Sequence, residues 1–321
     1  MKADLDILLP FHRGDFLLEQ AISSLASSLE INFNVILIDD RLDKSRDLSR
    51  LFKPLSNYLM LETPGGTGYG HALKIGSAAL QADATALFNS DDLVHPLRFA
   101  KQLRQLDRYS VSFTKLQRVG EAGQRLRSLS GEILGADYDP VLLLLGAYGA
   151  NASWCMRKEW WNVNSFFDSD ECLDWRIAMK AFPKSSVLYI PENLYFYRKH
   201  PYQKTANFKV SHQSMNIVYQ EWLTLLKFVG LNNYSYESFA ALGVPWLTDY
   251  EIDFEDFISA AKAINDYSIL ISSSMAKLVR YLLKRRFIFA IRNTSALTKK
   301  SKLLNLGLTQ IPEIIFDSIL K

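Results

Sequence analysis

The chain has 321 residues, of which 48% are hydrophobic and 22% charged, and a formal net charge of +3. That is the composition of an ordinary soluble globular protein with room for one large or two smaller cores, and the small net charge does not call for a nucleic-acid partner. Its two cysteines, Cys155 and Cys172, have no CxxC or Cys/His spacing, so neither structural zinc nor a disulfide scaffold is indicated.

Taken in chain order, Ile7-Leu8-Leu9-Pro10 reads as a short buried strand. Asp15 can cap a helix carrying Leu17, Leu18, Ala21, Ile22, Leu25 and Leu29 on one face. A strand over 34–38 follows, then a polar helix near 44–53 and a third strand, Tyr58-Leu59-Met60-Leu61. That strand runs into Pro64-Gly65-Gly66-Thr67-Gly68-Tyr69-Gly70, a helix from about His71 to Leu80, and a strand over 84–88. After Pro96 the spacing predicts a helix with Leu97, Ala100, Leu103 and Leu106 inward, and Val111-Ser112-Phe113 is a further strand. Strand and helix alternate, so the first 115 residues read as a parallel α/β sheet. The stretch 116–205 is less regular and rich in aromatics (Trp154, Trp160, Trp161, Phe166, Phe167, Trp175), with a late strand at Val187-Leu188-Tyr189-Ile190. From about Ser211 the pattern is helical. The expected organisation is a catalytic domain over 1–205, with a nucleotide-binding half at 1–115 and an acceptor half at 116–205, then a helical region over 206–321.

Two strands end in paired acids. Asn34 to Ile38 runs into Asp39-Asp40, and Ala84 to Phe88 runs into Asn89-Ser90-Asp91-Asp92. One such pair is explained by a solvated turn; two, with a glycine-rich loop between them, are not. In open α/β sheets ligands bind outside the carboxyl ends of the strands. Mg²⁺ and Mn²⁺ take oxygen ligands, commonly one or two carboxylates plus substrate phosphates. The segment is thus expected to bring a metal and a phosphorylated substrate together. The glycine loop is not a dinucleotide fingerprint, because G-x-G-x-x-G begun at Gly66 ends on His71 and begun at Gly68 ends on Leu73. Nor does Gly-Lys-Ser/Thr follow, as a P-loop requires.

One pattern accommodates all of this. Ile7 to Arg13, Val35 to Asp40, Gly68 to Gly76 and Asn89 to Asp92 resemble, in order and spacing, the motifs of family-2 glycosyltransferases with the GT-A fold. Leu173-Asp174-Trp175-Arg176 resembles that family's "E-D-W" element, and Tyr197-Arg198-Lys199-His200 its closing "Y-R-x-H". The resemblance covers about residues 4–205. It implies a nucleotide-binding, mixed but mainly parallel α/β sheet flanked by helices, with a helical C-terminal region. It further implies metal-dependent transfer, with inversion, from a nucleotide-sugar of the UDP class to a glycan, glycolipid or cell-surface polymer precursor.

By that resemblance, Asp92 with Asp91 holds Mn²⁺ or Mg²⁺, and Asp174 is the base. Asp40, with Asp39 close by, meets the nucleotide base in a pocket lined by Pro10, Phe11 and Arg13. Gly68, Lys74 and Asp91 belong to the donor site, and Arg198 and His200 approach the diphosphate. Asn151 and Trp154 line the sugar or acceptor pocket, while core packing is the competing reading of Trp154. The chain departs from the family at Asn89, where the first motif Asp stands, at Leu73-Lys74 in place of Arg-Asn, at Arg41-Leu42 in place of Gly-Ser, and at Leu173 in place of an acid. Asp170 and Glu171 are alternative acids near Asp174.

Two rivals stand beside this reading. A nucleotidyltransferase also uses paired carboxylates and a glycine loop, but usually places the loop after the first strand. A non-catalytic sugar-nucleotide-binding scaffold could retain the same fold. From Tyr267 to Pro312 there are nine Lys or Arg and no acid, which leaves the remainder of the chain at −6. Met275, Leu278, Val279, Leu282, Leu283 and Phe287 fall on one helical face there. Two readings are open for this helix: it lies on an anionic membrane surface, or it packs on the protein with a solvated charged face; nucleic-acid binding is a distant third, because no aromatic or Gly-rich RNA-binding pattern accompanies the charge. The start lacks a signal peptide's apolar core, and no apolar run reaches the roughly 20 residues of a membrane span. The expected location is cytoplasmic, either free or peripheral on the cytoplasmic face of a membrane.

Overall fold

The computed structural model describes residues 2–126, 138–145, 150–164, 173–184, 186–203, 212–231, 242 and 254–293. Phe166, Phe167, Asp170, Glu171, Cys172, Lys299, Lys300 and Lys302 lie outside the described residues. Two compact units are present, one of residues 1–136 with 149–206 and one of 137–148 with 207–321. The segment 137–148 thus belongs with the helical unit, an excursion that a single boundary at 205/206 does not contain.

The first unit is built on one eight-stranded sheet: β1 (Leu5–Phe11), β2 (Phe33–Asp39), β3 (Tyr58–Glu62), β4 (Ala84–Leu87), β5 (Leu93–Val94), β6 (Val111–Val119), β7 (Trp154–Arg157) and β8 (Val187–Arg198). Their order is β3-β2-β1-β4-β7-β6-β8-β5. β1 to β4 run parallel, β7 runs antiparallel to both β4 and β6, β8 runs parallel to β6, and β5 antiparallel to β8. The carboxyl ends of β1, β2, β3, β4, β6 and β8 therefore share one edge.

β1 and the end of β2 are buried along their length, as continuous apolar strands covered on both faces should be. Helix α1 (Phe16–Ala26) starts where the Asp15 carboxylate accepts from the Leu17 N–H at 3.1 Å, and it buries Leu17, Leu18, Ala21, Ile22 and Leu25. The expected polar helix at 44–53 shrinks to α2 (Ser49–Phe52). Asp43 and Asp47 accept from the backbone N–H groups of Ser45 and Ser49, which favours turns over helix.

Helix α3 (Tyr69–Ser77) begins directly on the glycine loop, with Gly68 as its N-cap. Helix α4 (Arg98–Leu103) differs from expectation in its inward face: Arg98 and Gln102 are buried while Leu97 and Leu103 are only half-buried. The Arg98 guanidinium donates to Gln102 Oε1 at 2.8 Å and to the carbonyls of Leu87 and Trp154. Gln102 Nε2 donates to the Ser112 and Ser153 carbonyls at 3.1 Å. The two side chains thus satisfy main-chain oxygens that would otherwise be buried without partners. Helices α5 (Lys158–Asn164) and α6 (Leu173–Lys184) complete this unit.

In the second unit, α7 (His212–Phe228), α8 (Phe254–Ile271) and α9 (Ser273–Asn293) accompany a 3-10 turn at Pro140–Leu145. The apolar stripe of α9 expected at Met275, Leu278, Val279, Leu282, Leu283 and Phe287 exists and is entirely buried. α9 packs against α8 and against the 140–145 turn. Arg280 donates to Asn265 Oδ1 at 3.1 Å and Arg286 to the Leu145 carbonyl at 2.6 Å. The stripe is covered by protein and is not available to enter a bilayer. This decides against the membrane reading of that face. Among the described residues no helix is long and apolar enough to cross a membrane.

Gly76 of α3 lies against the sheet so closely that a Cβ there would sit 2.8 Å from Ile38 Cδ1 and 2.9 Å from Leu8 Cδ2, both fully buried. Gly76→Val should lower stability by about 1–3 kcal/mol through overpacking. Denaturant titration checks this, and an unchanged midpoint would refute the close packing of α3.

Candidate active site

The motif residues converge on the sheet edge formed by the carboxyl ends of the parallel strands. The acid pair after β2 is used to build that edge. The buried Asp40 carboxylate accepts from Thr67 N–H at 2.9 Å, Thr67 Oγ1 at 2.7 Å, Gly68 N–H at 3.0 Å and the Thr63 hydroxyl. Burial pushes its pKa up, but the hydrogen bonds from Thr63, Thr67 and Gly68 outweigh that and hold it below the usual carboxylate range. Gly68 can present its N–H in this way because its φ is +96°, a backbone that residues with a Cβ rarely adopt.

The Asp39 carboxylate is taken by Arg41, with Nη2 at 2.7 Å, Nε at 3.0 Å and the backbone N–H at 3.0 Å. Asp40 holds the glycine loop and Asp39 holds Arg41. A cleft of about 400 Å³ opens beside them, lined by His12, Arg13, Asp40, Arg41, Arg46 and Gly66 among others. Pro10 and Phe11 do not line it. Both are buried, and Phe11 packs on Phe52 at 5.8 Å beneath the Arg41 guanidinium. Arg13 does line it, paired with Asp15 at 2.9 Å and lying 4.5 Å from the ring centre of Tyr202.

The second acid pair divides its labour. Asp92 is fully buried. Its Oδ1 accepts from the Arg198 N–H at 2.7 Å, and its Oδ2 accepts from the Tyr195 hydroxyl and from Asn89 Nδ2 at 3.0 Å. Burial and the neighbouring Asp91 charge push its pKa up, against the hydrogen bonds from Tyr195, Arg198 and Asn89. A metal held by Asp92, as expected, would share its carboxylate with these protein donors.

Asp91 is different. Its side chain is 32% exposed and lies 3.0 Å from His200 Nε2. His200 Nδ1 is buried with no hydrogen-bond partner among the described residues. Arg198 turns its Nη1 onto Gln20 of α1, while its buried Nε and Nη2 have no partner among the described residues. No cluster of three or more His, Cys, Asp or Glu is gathered among the described residues. Any metal here must take the rest of its shell from elsewhere.

Asp174 stands in the first turn of α6, partly exposed, and its carboxylate accepts from the Asn151 backbone N–H. Burial among protein atoms raises its pKa to about 6, against the pull of the hydrogen bonds from Asn151 and from its own N–H. The Asn151 side chain bonds Tyr69, and the Tyr69 hydroxyl reaches Asn89 Oδ1 at 3.3 Å. Tyr69 thus links the two acid centres. Burial, with the charges of Asp174, Asp91 and Asp92, raises its own pKa and keeps it protonated.

Trp154 belongs to the core. It is fully buried and stacked on Phe113 at 4.7 Å. Lys74 is exposed on α3, in the helix's last turn, and is drawn to no acid of the site. Tyr69, Tyr195, Arg41 and His12 were not singled out from the sequence as site residues. Tyr69 follows the N-cap glycine directly, which could have marked it. Tyr195 lies 103 residues from Asp92, and no spacing connects them.

Residues 6–151 match the family described as glycosyl transferase family 2. No curated protein sequence matches. Among solved structures, Staphylococcus aureus TarS 1-349 in complex with UDP-GlcNAc aligns with a TM-score of 0.56 at 13% identity, over 100% of this chain and 93% of that one. The same TarS piece in complex with UDP gives 0.52, and a longer TarS chain, 55% covered, gives 0.55. At that identity the likeness is one of fold, a mixed GT-A-like sheet flanked by helices. The family match thus covers the segment 6–151, which carries the acid pairs and the glycine loop of the sheet edge, and it supports a glycosyltransferase.

Proposed function

We propose that the chain transfers a sugar from a nucleotide-sugar of the UDP class to a hydroxyl of a glycan, glycolipid or cell-surface polymer precursor, with inversion at the anomeric carbon. The observation that carries this is Asp174. It is a carboxylate with a pKa near 6, held by the Asn151 N–H and linked through Tyr69 to the edge that bears Asp91 and His200. A group of that pKa is ionised at neutral pH and can accept the proton of an attacking hydroxyl. The donor class is supported by the cleft beside the glycine loop and by the UDP-GlcNAc and UDP held by TarS.

A divalent cation fits the second acid pair in a specific way. Asp91 offers a partly exposed carboxylate, and His200 an imidazole whose other nitrogen is buried without a partner among the described residues. One carboxylate, one imidazole and the donor's phosphate oxygens suit Mn²⁺ or Mg²⁺. Bound there, the ion would supply Lewis-acid stabilisation of the departing diphosphate. Asp92 would serve by holding the Arg198 main chain, and Asp174 by taking the acceptor's proton.

Three outcomes test the proposal. Asp174→Asn should slow transfer by about 10²–10⁴-fold while calorimetry finds UDP bound as by the wild type; the wild-type rate should rise with pH through about 6 as Asp174 loses its proton. A fast Asp174→Asn enzyme would remove the base assignment. Asp91→Asn should lose the response of turnover to added Mn²⁺, and a full response would move the metal elsewhere. Asp40→Asn should lower stability by about 1–3 kcal/mol, since an amide keeps only one acceptor oxygen and turns its NH2 onto one of the donors of Thr67 or Gly68. The Asp40 pKa is depressed, so its stabilisation is complete above the ordinary value of 3.8 and is lost as pH falls through the lower folded value. The stability gap between wild type and variant should therefore be full at neutral pH and narrow on acidification, and a gap constant down to pH ~2 would contradict it.

A further inference from the structure

Asn89 stands where the family pattern has an acid, and its surroundings explain why an acid would not serve here. Asn89 Nδ2 donates to Asp92 Oδ2 at 3.0 Å and to the Tyr195 hydroxyl at 3.3 Å. Asn89 Oδ1 accepts from the Tyr69 hydroxyl at 3.3 Å. An amide can do both at once; a carboxylate can only accept. An Asp at this position would put a second carboxyl oxygen about 3 Å from the fully buried Asp92, the arrangement in which two carboxyls cannot both ionise and one must hold a proton.

The bridge also has reach. Through Tyr69 it touches the start of the glycine-loop helix α3 and the side chain of Asn151, whose N–H holds Asp174. Through Asp92 it touches the Arg198 N–H, two residues before His200, which meets Asp91.

We infer that Asn89 is a positioning residue of the transfer site: its amide ties Tyr69 of α3 to the Asp92–Tyr195 pair and so fixes the Asp91–His200 pair relative to the glycine-loop helix. Its side chain bonds Tyr69, Asp92 and Tyr195 rather than Asp91, His200 or Asp174. The inference rests on the transfer reading for its rate effect, and on geometry alone for its effect on stability.

The test is a swap. Asn89→Asp, which restores the family's acid, should lower kcat by about 100-fold through misplacement of the site. The donor KM should stay within about threefold of wild type and the half-saturating Mn²⁺ should not fall, because the nucleotide cleft is lined by other residues. Asp92→Asn alone should also impair the enzyme. The double variant Asn89→Asp with Asp92→Asn returns one acid and one amide to the same contact. The amide introduced at position 92 can donate both to the carboxylate introduced at position 89 and to the Tyr195 oxygen. The double variant should regain at least about tenfold in kcat, and its Tm should exceed that of either single variant, a coupling that independent sites do not show.

If Asn89→Asp equals or exceeds the wild type with tighter Mn²⁺, position 89 is a ligand and the inference fails. If the swap is no better than the single variants in Tm, the bridge fails, even where Asn89→Asp alone does not fold. If the wild type turns over no nucleotide-sugar, the transfer reading falls while the Tm comparison still decides the bridge.

Discussion

The interaction on which the site depends is the buried Asp92 carboxylate. It draws the carboxyl end of β8 to that of β4, although the two strands are not neighbours in the sheet. Burying a carboxyl group without partners is costly, and here three donors offset that cost. The donors come from three places: Asn89 after β4, the Tyr195 side chain in β8, and the Arg198 main chain at the end of β8. A buried carboxyl that cannot be left unpaired thereby ties the loop after β4 to β8 at two points. His200 meets Asp91 because the chain just before it is held in this way.

The parallel half of the sheet was legible because its strands are apolar along their length and punctuated by acids, glycine or proline. β1, β2, β3 and β4 appear within one or two residues of the sequence reading. The sequence also marks which strand ends carry chemistry, since paired acids after an apolar run are hard to explain as packing. What it does not show is which lone pairs remain free. Asp91 and Asp92 are adjacent and chemically identical in the sequence. One is sealed among donors and the other meets His200 beside solvent, a difference set by which side of the chain faces β8. Asp39 and Asp40 are likewise indistinguishable until Arg41 and the glycine loop claim one each.

Other features that the sequence left open or misplaced have the same origin. Arg98 and Gln102 look like solvent positions of α4, and they turn inward because strand carbonyls need donors. Trp154 follows polar residues, and an aromatic in that setting is as compatible with a sugar platform as with a core; its stacking on Phe113 decides for the core. The stripe of α9 has the spacing of a membrane-surface helix, but periodicity reports only that a face is covered, not by what. α8 and the 140–145 turn supply the cover.

The stapled glycine loop has a consequence for binding. Loops of this composition are commonly floppy in the free protein and become ordered around a phosphate, which subtracts ordering entropy from affinity. Here Asp40 and Thr63 hold Gly65, Thr67 and Gly68 through side-chain acceptors that do not involve a ligand. The start of α3 is therefore held by the protein's own side chains, and under the proposed function a nucleotide-sugar would meet a preordered wall rather than a loop it must fold. Such a wall favours fast, shape-selective capture and leaves little scope for the loop to reshape itself around a bulkier base.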